Sequence, residues 1–265
     1  MSRLQLETNL DGLCQRLERN AWENGIALPS PLSEMAKGLS DSLYLAHSTT
    51  EERFGDICTS GYLKPGKPVS PTCAEVVMGT AGSVFFYVAP FRYPNTGCGL
   101  LFAASLESAH AYEGAATPFD SGGLASVLAR QDPAEPVRGF LARHELPAPG
   151  HRRYLGMSMD ALFGKPEDYV EGTEPRWPGP IGLTGGDQRR WTHEVRIPDQ
   201  VFVRGSHLQA VFAPRARVAA DSHIEKLFQW CVGEGVDWVV FETPSRNDFE
   251  ALRNECRAYI RRTLY

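Results

Sequence analysis

The first apolar rhythm along the chain is helical. Leu4, Leu10, Leu13 and Leu17 recur at roughly helical spacing within residues 4–26. The stretch ALPSPLSEM then breaks the pattern. A short apolar run, Leu43–Ala46, reads as a strand and leads into His47, Ser48 and Thr49. Thr49 followed by Glu52 predicts a capping box. Phe54 and Ile57, three apart, predict the buried side of a short helix, and Gly61 its stop. Residues 64–82, rich in Pro, Gly and Ser, read as an irregular loop. SVFFYVAP (83–90) reads as a buried strand bounded by Gly82 and Pro90, and GLLFAASL (99–106) as another.

The rhythm changes at about residue 113. FDSGGLASVLARQ, PAEPVRGFLARHEL and HRRYLGMSMDALFG predict three short helices, followed by the Gly/Pro-rich loop EGTEPRWPGPIGLTGGDQ. Residues 113–185 therefore read as a helical insertion or lid on a β scaffold, because long loops in compact domains tend to be functional. Beyond it, RRWTHEVRIP and LQAVFAP predict strands and DSHIEKLFQWCVGEG a helix with Ile224, Leu227, Phe228 and Cys231 on one side. VDWVVFE predicts a buried strand, and SRNDFEALRNECRAYIRRTLY a last helix that Ser245 is placed to cap. The pattern as a whole is α+β in one domain over residues 1–265, ending in helix–strand–helix.

Composition narrows the class. A chain of 265 residues that is 42% hydrophobic can bury a sizeable core. No run approaches eighteen apolar residues, so no membrane span is expected, and the first residues lack the apolar centre of a secretion signal. These features predict a soluble, cytoplasmic protein. The six cysteines form no CxxC pair and no Cys/His cluster with zinc spacing, which predicts neither a structural metal nor a required disulfide. A net charge of −5 argues against a wholesale polyanion coat. Only five cations are lysines, against twenty-two arginines, a choice that suits planar contact with phosphate and base.

The capping box accounts for Thr49 but not for His47, which by itself is as well read as a structural histidine. Three ordered stretches give it more. A strand, His47-x-Thr49, a helix with Phe54 and Ile57, then Gly61 and Leu63, resembles the opening of the ADP-ribosyltransferase superfamily, above all of DarT-type nucleic-acid ADP-ribosyltransferases. FFYVAPFRYP, with Tyr87, Arg92 and Pro94, is similar to the family strand that carries a nicotinamide-stacking aromatic and turns at Pro-Arg-x-Pro. WTHEVRIP places Glu194 where that family has its acidic residue in Glu-x-x-(Ile/Val)-Pro. Together the stretches cover about a third of the chain, roughly residues 43–95 and 185–214.

The resemblance implies an ADP-ribosyltransferase-like split β-sheet core and an NAD-dependent mono-ADP-ribosyl transfer. NAD is consumed as co-substrate. Glu194 takes the catalytic role, because a carboxylate beside the ribose 2′-hydroxyl stabilises an oxocarbenium-like transition state and can take the nucleophile's proton. His47, Ser48 and Thr49 would hold the ribose ends, Tyr87 would pack the cationic nicotinamide, and Arg53 and Arg92 would face the diphosphate. DarT-type chains have asparagine where this one has Arg53, so the phosphate clamp differs. The loop before Glu194 would recognise the acceptor through Gln188, Arg189, Arg190 and Trp191, with Asp187 beside them. Trp177 and Trp191 are candidate base-stacking rings.

The acceptor implied is a nucleic-acid base, in DNA or RNA, and such proteins act as toxins or anti-phage effectors, which implies a neutralising antitoxin. Thr192 stands where arginine- or guanine-directed relatives carry Gln or Glu. TPFDSGGL (117–124) offers Asp120 or Ser121 as a cap and two glycines for close approach of a ligand. GHRRY and the Arg253, Arg257, Arg261 stripe are local basic patches, candidate nucleic-acid tracks whose binding would weaken with salt. Three other readings stay open: transfer to a protein, an RNA 2′-phosphotransferase, and a non-catalytic binding module.

Overall fold

A computed structural model describes residues 2–68, 70–71, 73–88, 97–110, 113–123, 134–177, 188–243 and 250–265, with the backbone alone at 134–136. The first elements are α1 (Arg3–Glu23), α2 (Glu34–Ser42), β1 (Leu45–Thr49), α3 (Glu51–Ser60), β2 (Tyr62–Leu63), α4 (Ala74–Met78), β3 (Ser83–Val88) and β4 (Cys98–Phe102). Next come α5 (Ser105–Ala109), β5 (Ala115–Thr117), α6 (Ala134–His144), β6 (Leu146–Pro147), α7 (His151–Leu162), α8 (Pro166–Glu171) and a 3-10 turn (Gln188–Arg190). The chain finishes with β7 (Glu194–Pro198), β8 (Val201–Phe202), β9 (Leu208–Pro214), α9 (Arg215–Ala220), α10 (Ser222–Glu234), β10 (Asp237–Phe241) and α11 (Ala251–Leu264). The mixture of helices with mostly antiparallel strand pairs is compatible with the α+β class. Among the described residues no helix is long and apolar enough to cross a membrane.

The chain divides into two compact units. The first comprises Met1–Ser42, Pro65–Phe85 and Glu107–Asp199. In it α1 buries Asn9, Leu13, Leu17 and Ala21, a stripe at four-residue spacing, with Cys14 beside it. Leu4 is 74% exposed and lies outside that stripe. Asn9 is buried because its side-chain amide donates to the carbonyls of Ala142 (2.6 Å) and Glu145 (3.1 Å), carbonyls that the end of α6 leaves without intrahelical partners. Helices α1 and α2 both pack on α7, which is buried from His151 to Met159 except at Arg153. β5 pairs antiparallel with β6 on one side and β7 on the other, with Thr117 opposite Glu194. Among the described residues of 113–185 there are thus two strands as well as the predicted helices α6 and α7 and the unforeseen α8, and the helix predicted in FDSGGLASVLARQ lies outside the described residues from 124 onward. Residues 64–82, read as irregular, contain α4.

The second unit comprises Leu43–Lys64, Phe86–Leu106 and Gln200–Tyr265. Five strands lie in the order β10-β9-β4-β1-β3, with β10 parallel to β9 and the other pairs antiparallel, and β2 pairs antiparallel with β8 apart from them. Neighbouring residues of β10 contact helices on opposite faces. Trp238 meets Phe228 of α10, and Asp237 accepts the Tyr259 hydroxyl of α11 at 2.8 Å. The predicted helix–strand–helix at the C-terminus is present. β10 is less buried than its sequence implies: only Phe241 is fully covered, because among the described residues the strand pairs with β9 alone.

The seam after β1 differs from its prediction by one residue. The strand runs through His47 and Ser48 to Thr49, which is buried and pairs with Cys98. Thr50 caps α3, its hydroxyl accepting the Arg53 amide at 3.3 Å, so the Thr49–Glu52 capping box does not form. Two adjacent threonines offer the same chemistry, and strand pairing consumes the first. Gly61 ends α3 in the left-handed conformation, as expected, and Phe54 and Ile57 are buried. Gly97 lies against this seam so closely that a Cβ would sit 1.6 Å from the Thr49 carbonyl oxygen. Thr50→Ala is expected to cost about 1 kcal/mol in urea unfolding.

Candidate functional site

Glu194 opens β7 and is almost fully buried, 1% exposed. A lone carboxyl placed there would be costly, and its surroundings show what receives it. Ser121 donates its hydroxyl to Glu194 Oε1 in a short hydrogen bond. Asp120, the residue before, is also buried, and its Oδ1 accepts the Gly123 amide at 2.8 Å. Asp120 therefore serves as the cap that the sequence offered, while Ser121 is turned to Glu194. Residues 121–123 are helical, so the cap, the glycines and the serine form one compact turn.

The same turn grips the segment before β7. The Asp120 amide donates to the Arg189 carbonyl at 2.8 Å, and a Cβ on Gly123 would come within 2.6 Å of Arg189 Cδ. The close approach that Gly123 permits is thus to Arg189 of this chain. Thr192, buried two residues before Glu194, donates to the Gln188 carbonyl at 2.9 Å and closes the 3-10 turn. Thr117 lies across from Glu194 and donates to the Phe119 carbonyl at 2.8 Å.

The electrostatics follow from burial. Glu194 is pushed up to about 8, first by its removal from water and then by the negative charge of Asp120. Arg196 and the Ser121 hydrogen bond oppose that shift. Arg196 is itself buried and ion-paired with Glu145. Two carboxyl groups thus share a buried setting, with the Arg196 guanidinium near Glu194 paired to Glu145 and the Arg189 side chain beside Gly123 of the turn. His193, also buried, packs between Tyr154 and Tyr169, with ring centroids 5.9 and 5.8 Å away.

The acceptor candidates stand in the first unit beside this cluster. Gln188, Arg189 and Arg190 are half-buried in the 3-10 turn, and Gln188 donates to the Gly172 carbonyl at 3.1 Å. Trp191 is 5% exposed, with the Arg190 guanidinium 4.6 Å from its ring centroid. Trp177 is 8% exposed and donates to the Ala161 carbonyl, so both tryptophans pack into the unit and neither offers a free face to a base. Asp187 lies outside the described residues.

GHRRY is not a surface patch either. His151 and Arg152 are buried around the carboxylate of Glu107, with His151 Nε2 2.8 Å from Oε1, and only Arg153 is exposed, paired with Asp11. On α11, Arg253 and Arg257 are half-buried and Arg253 pairs with Glu250, so only Arg261 of that stripe is fully exposed. Ser245, the expected cap of the last helix, lies outside the described residues.

The cofactor candidates belong to the second unit. β1 and β3 pair with Ala46 opposite Tyr87, so those two side chains share one sheet face. His47 projects from the other face, half-buried, its ring 5.7 Å from that of Phe86. His47 and Tyr87 therefore do not converge across their shared ladder, and the aromatic beside His47 is Phe86. Ser48 is half-buried opposite Gly99, and Arg53 is exposed on the first turn of α3. Arg92 lies outside the described residues. Sequence reading singled out Asp120 and Ser121 without joining them to Glu194. The β5–β7 pairing brings them together, and Ser121 and Glu194 lie seventy-three positions apart. No protein-family model matches the chain, and no curated protein matches it.

Proposed function

We propose that the chain is an NAD-dependent mono-ADP-ribosyltransferase acting on a nucleic-acid base, with Glu194 as its catalytic carboxylate. The observation that carries this reading is the buried Ser121–Glu194–Asp120 cluster at the start of a strand. It gives the glutamate singled out by resemblance a fixed orientation and a raised proton affinity. A carboxyl so held suits both tasks the reaction sets. Ionised, it accepts a hydrogen bond from the ribose 2′-hydroxyl while positive charge grows at C1′. As the bond from C1′ to the nicotinamide nitrogen breaks, its electron pair leaves with nicotinamide. The acceptor nitrogen or oxygen then bonds to C1′ and gives its proton to Glu194.

By resemblance alone, His47 is assigned to a ribose hydroxyl and Arg53, exposed on α3, to the diphosphate. The reading does not lean on Tyr87, which projects from the opposite sheet face to His47. In this reading the 3-10 turn from Gln188 to Arg190 presents the acceptor, and its tie to Glu194 through Asp120 and Ser121 supports that role. A toxin or anti-phage role in the cytoplasm, held in check by an antitoxin, completes the reading. The test is incubation with adenine-labelled NAD and cell extract, then nuclease or protease. Label lost to nuclease is the expected result. Label that survives nuclease and is lost to protease would move the acceptor to protein.

A further inference from the structure

We propose that two copies of the chain join through the open edge of β10, antiparallel and edge to edge, about a two-fold axis at Val239. The joint lies wholly in the second unit and does not depend on the transferase reading.

β10 ends the order of strands in its unit and pairs, among the described residues, with β9 alone. Its outer row of backbone amides and carbonyls is therefore a template for another strand. Natural edges are guarded by brevity, proline, lysine or a bulge. β2 and β8 are two residues long, and β6 is as short and ends in Pro147. β10 has five residues, DWVVF, without proline, glycine or lysine, and it keeps register with β9 from end to end. Trp238, Val239 and Val240 are only half-buried. The helix beside this edge extends the apolar surface. The ring of Phe228 on α10 lies 5.1 Å from that of Trp238. Val232, one turn further along the same flank of α10, is 65% exposed.

A second copy is the occupant that answers these features together. A two-fold axis perpendicular to the sheet at Val239 sets the two β10 strands antiparallel and keeps both α10 helices on one face. The Phe228–Val232 flank of each copy then meets its equivalent, apolar against apolar. Charge favours the same arrangement. Asp237 opens β10, while Glu242, paired with the exposed Arg215, follows its end. Antiparallel pairing sets Asp237 of each copy beside Phe241 and the Arg215–Glu242 pair of the other. Parallel pairing would set the two Asp237 carboxylates side by side and the two α10 helices on opposite faces.

Sedimentation equilibrium of the full chain over a wide range of concentration measures the assembly. The expected result is a monomer–dimer equilibrium that approaches twice the mass of the chain, with amide exchange within β10 slowing as the dimer forms. Val232→Lys, on the exposed helix flank, and Val239→Lys, on the axis, bring like charges together across the joint. Each is expected to weaken the dimer about tenfold or more. Val232 is exposed, so its replacement leaves the monomer folded, as circular dichroism can verify. A chain that stays monomeric at every concentration overturns the inference, the edge then being left to an extended strand of another protein. A dimer that both lysine variants leave unchanged, with β10 exchange independent of concentration, overturns it as well, because the copies then meet elsewhere.

Discussion

Glu194→Gln is expected to lower nicotinamide release from NAD by about 10²–10³-fold or more while the chain stays folded. Glutamine matches glutamate in shape and keeps an oxygen to accept the Ser121 hydroxyl. It loses the charge that the sugar cation needs. The substitution should also show in stability, with a definite sign. The folded Glu194 holds its proton up to about 8, whereas an unfolded glutamate loses it near 4.3. Between those values the folded state binds more protons than the unfolded state. The contribution of this group is therefore complete below the unfolded value and is lost as pH rises towards 8, with a slope of up to about 1.4 kcal/mol per pH unit. Urea unfolding at pH 5 and pH 8 should show a smaller fall for Glu194→Gln than for the unaltered chain. An equal fall would mean that Glu194 is ionised throughout.

Glu107→Gln is expected to cost about 3–5 kcal/mol in the same unfolding measurement at pH 7, because it breaks a buried ion pair from one side. The carboxylate of Glu107 receives Arg152 through Nε at 3.0 Å and Nη2 at 2.7 Å, besides His151 Nε2. Arg152 has one further partner in these bonds, the Ser40 carbonyl at 2.8 Å. Glutamine leaves the guanidinium buried without its counter-charge. Burial alone would raise the Glu107 affinity for protons, but His151 and Arg152 outweigh it and hold the carboxyl below the usual range. Its contribution is present above the unfolded value and is lost as pH falls through the lower folded value. The two buried glutamates thus oppose each other: Glu107 stabilises the fold as pH rises, Glu194 as pH falls. The exposed pair of Arg153 and Asp11 is the control, and Arg153→Met should change stability by no more than about 1 kcal/mol.

These two sites also mark what the sequence could and could not disclose. Helix α1, strands β7 and β9 and the closing helix–strand–helix were legible because local apolar spacing specifies them. The Thr50 cap was misplaced by one residue, since nothing local says which of two threonines the strand will claim. GHRRY looked like surface because charge is the usual mark of exposure, and its partner Glu107 lies forty-four and forty-five positions away. Trp177 and Trp191 looked like stacking platforms, but their burial depends on tertiary packing with no sequence period. Glu194, His47 and Arg53 came from order and resemblance. The alternation of β1 and β3, which separates His47 from Tyr87, depends on strand register that apolar content did not fix.

The central claim is that this chain breaks the nicotinamide bond of NAD and passes ADP-ribose to a base. Mass spectrometry of single-stranded DNA and RNA oligonucleotides incubated with NAD and the protein tests it most directly. The account predicts that an oligonucleotide gains one ADP-ribose unit, that free nicotinamide appears in equal amount, and that both vanish with Glu194→Gln. Unchanged oligonucleotides with no nicotinamide released, from a chain shown to be folded, would contradict it.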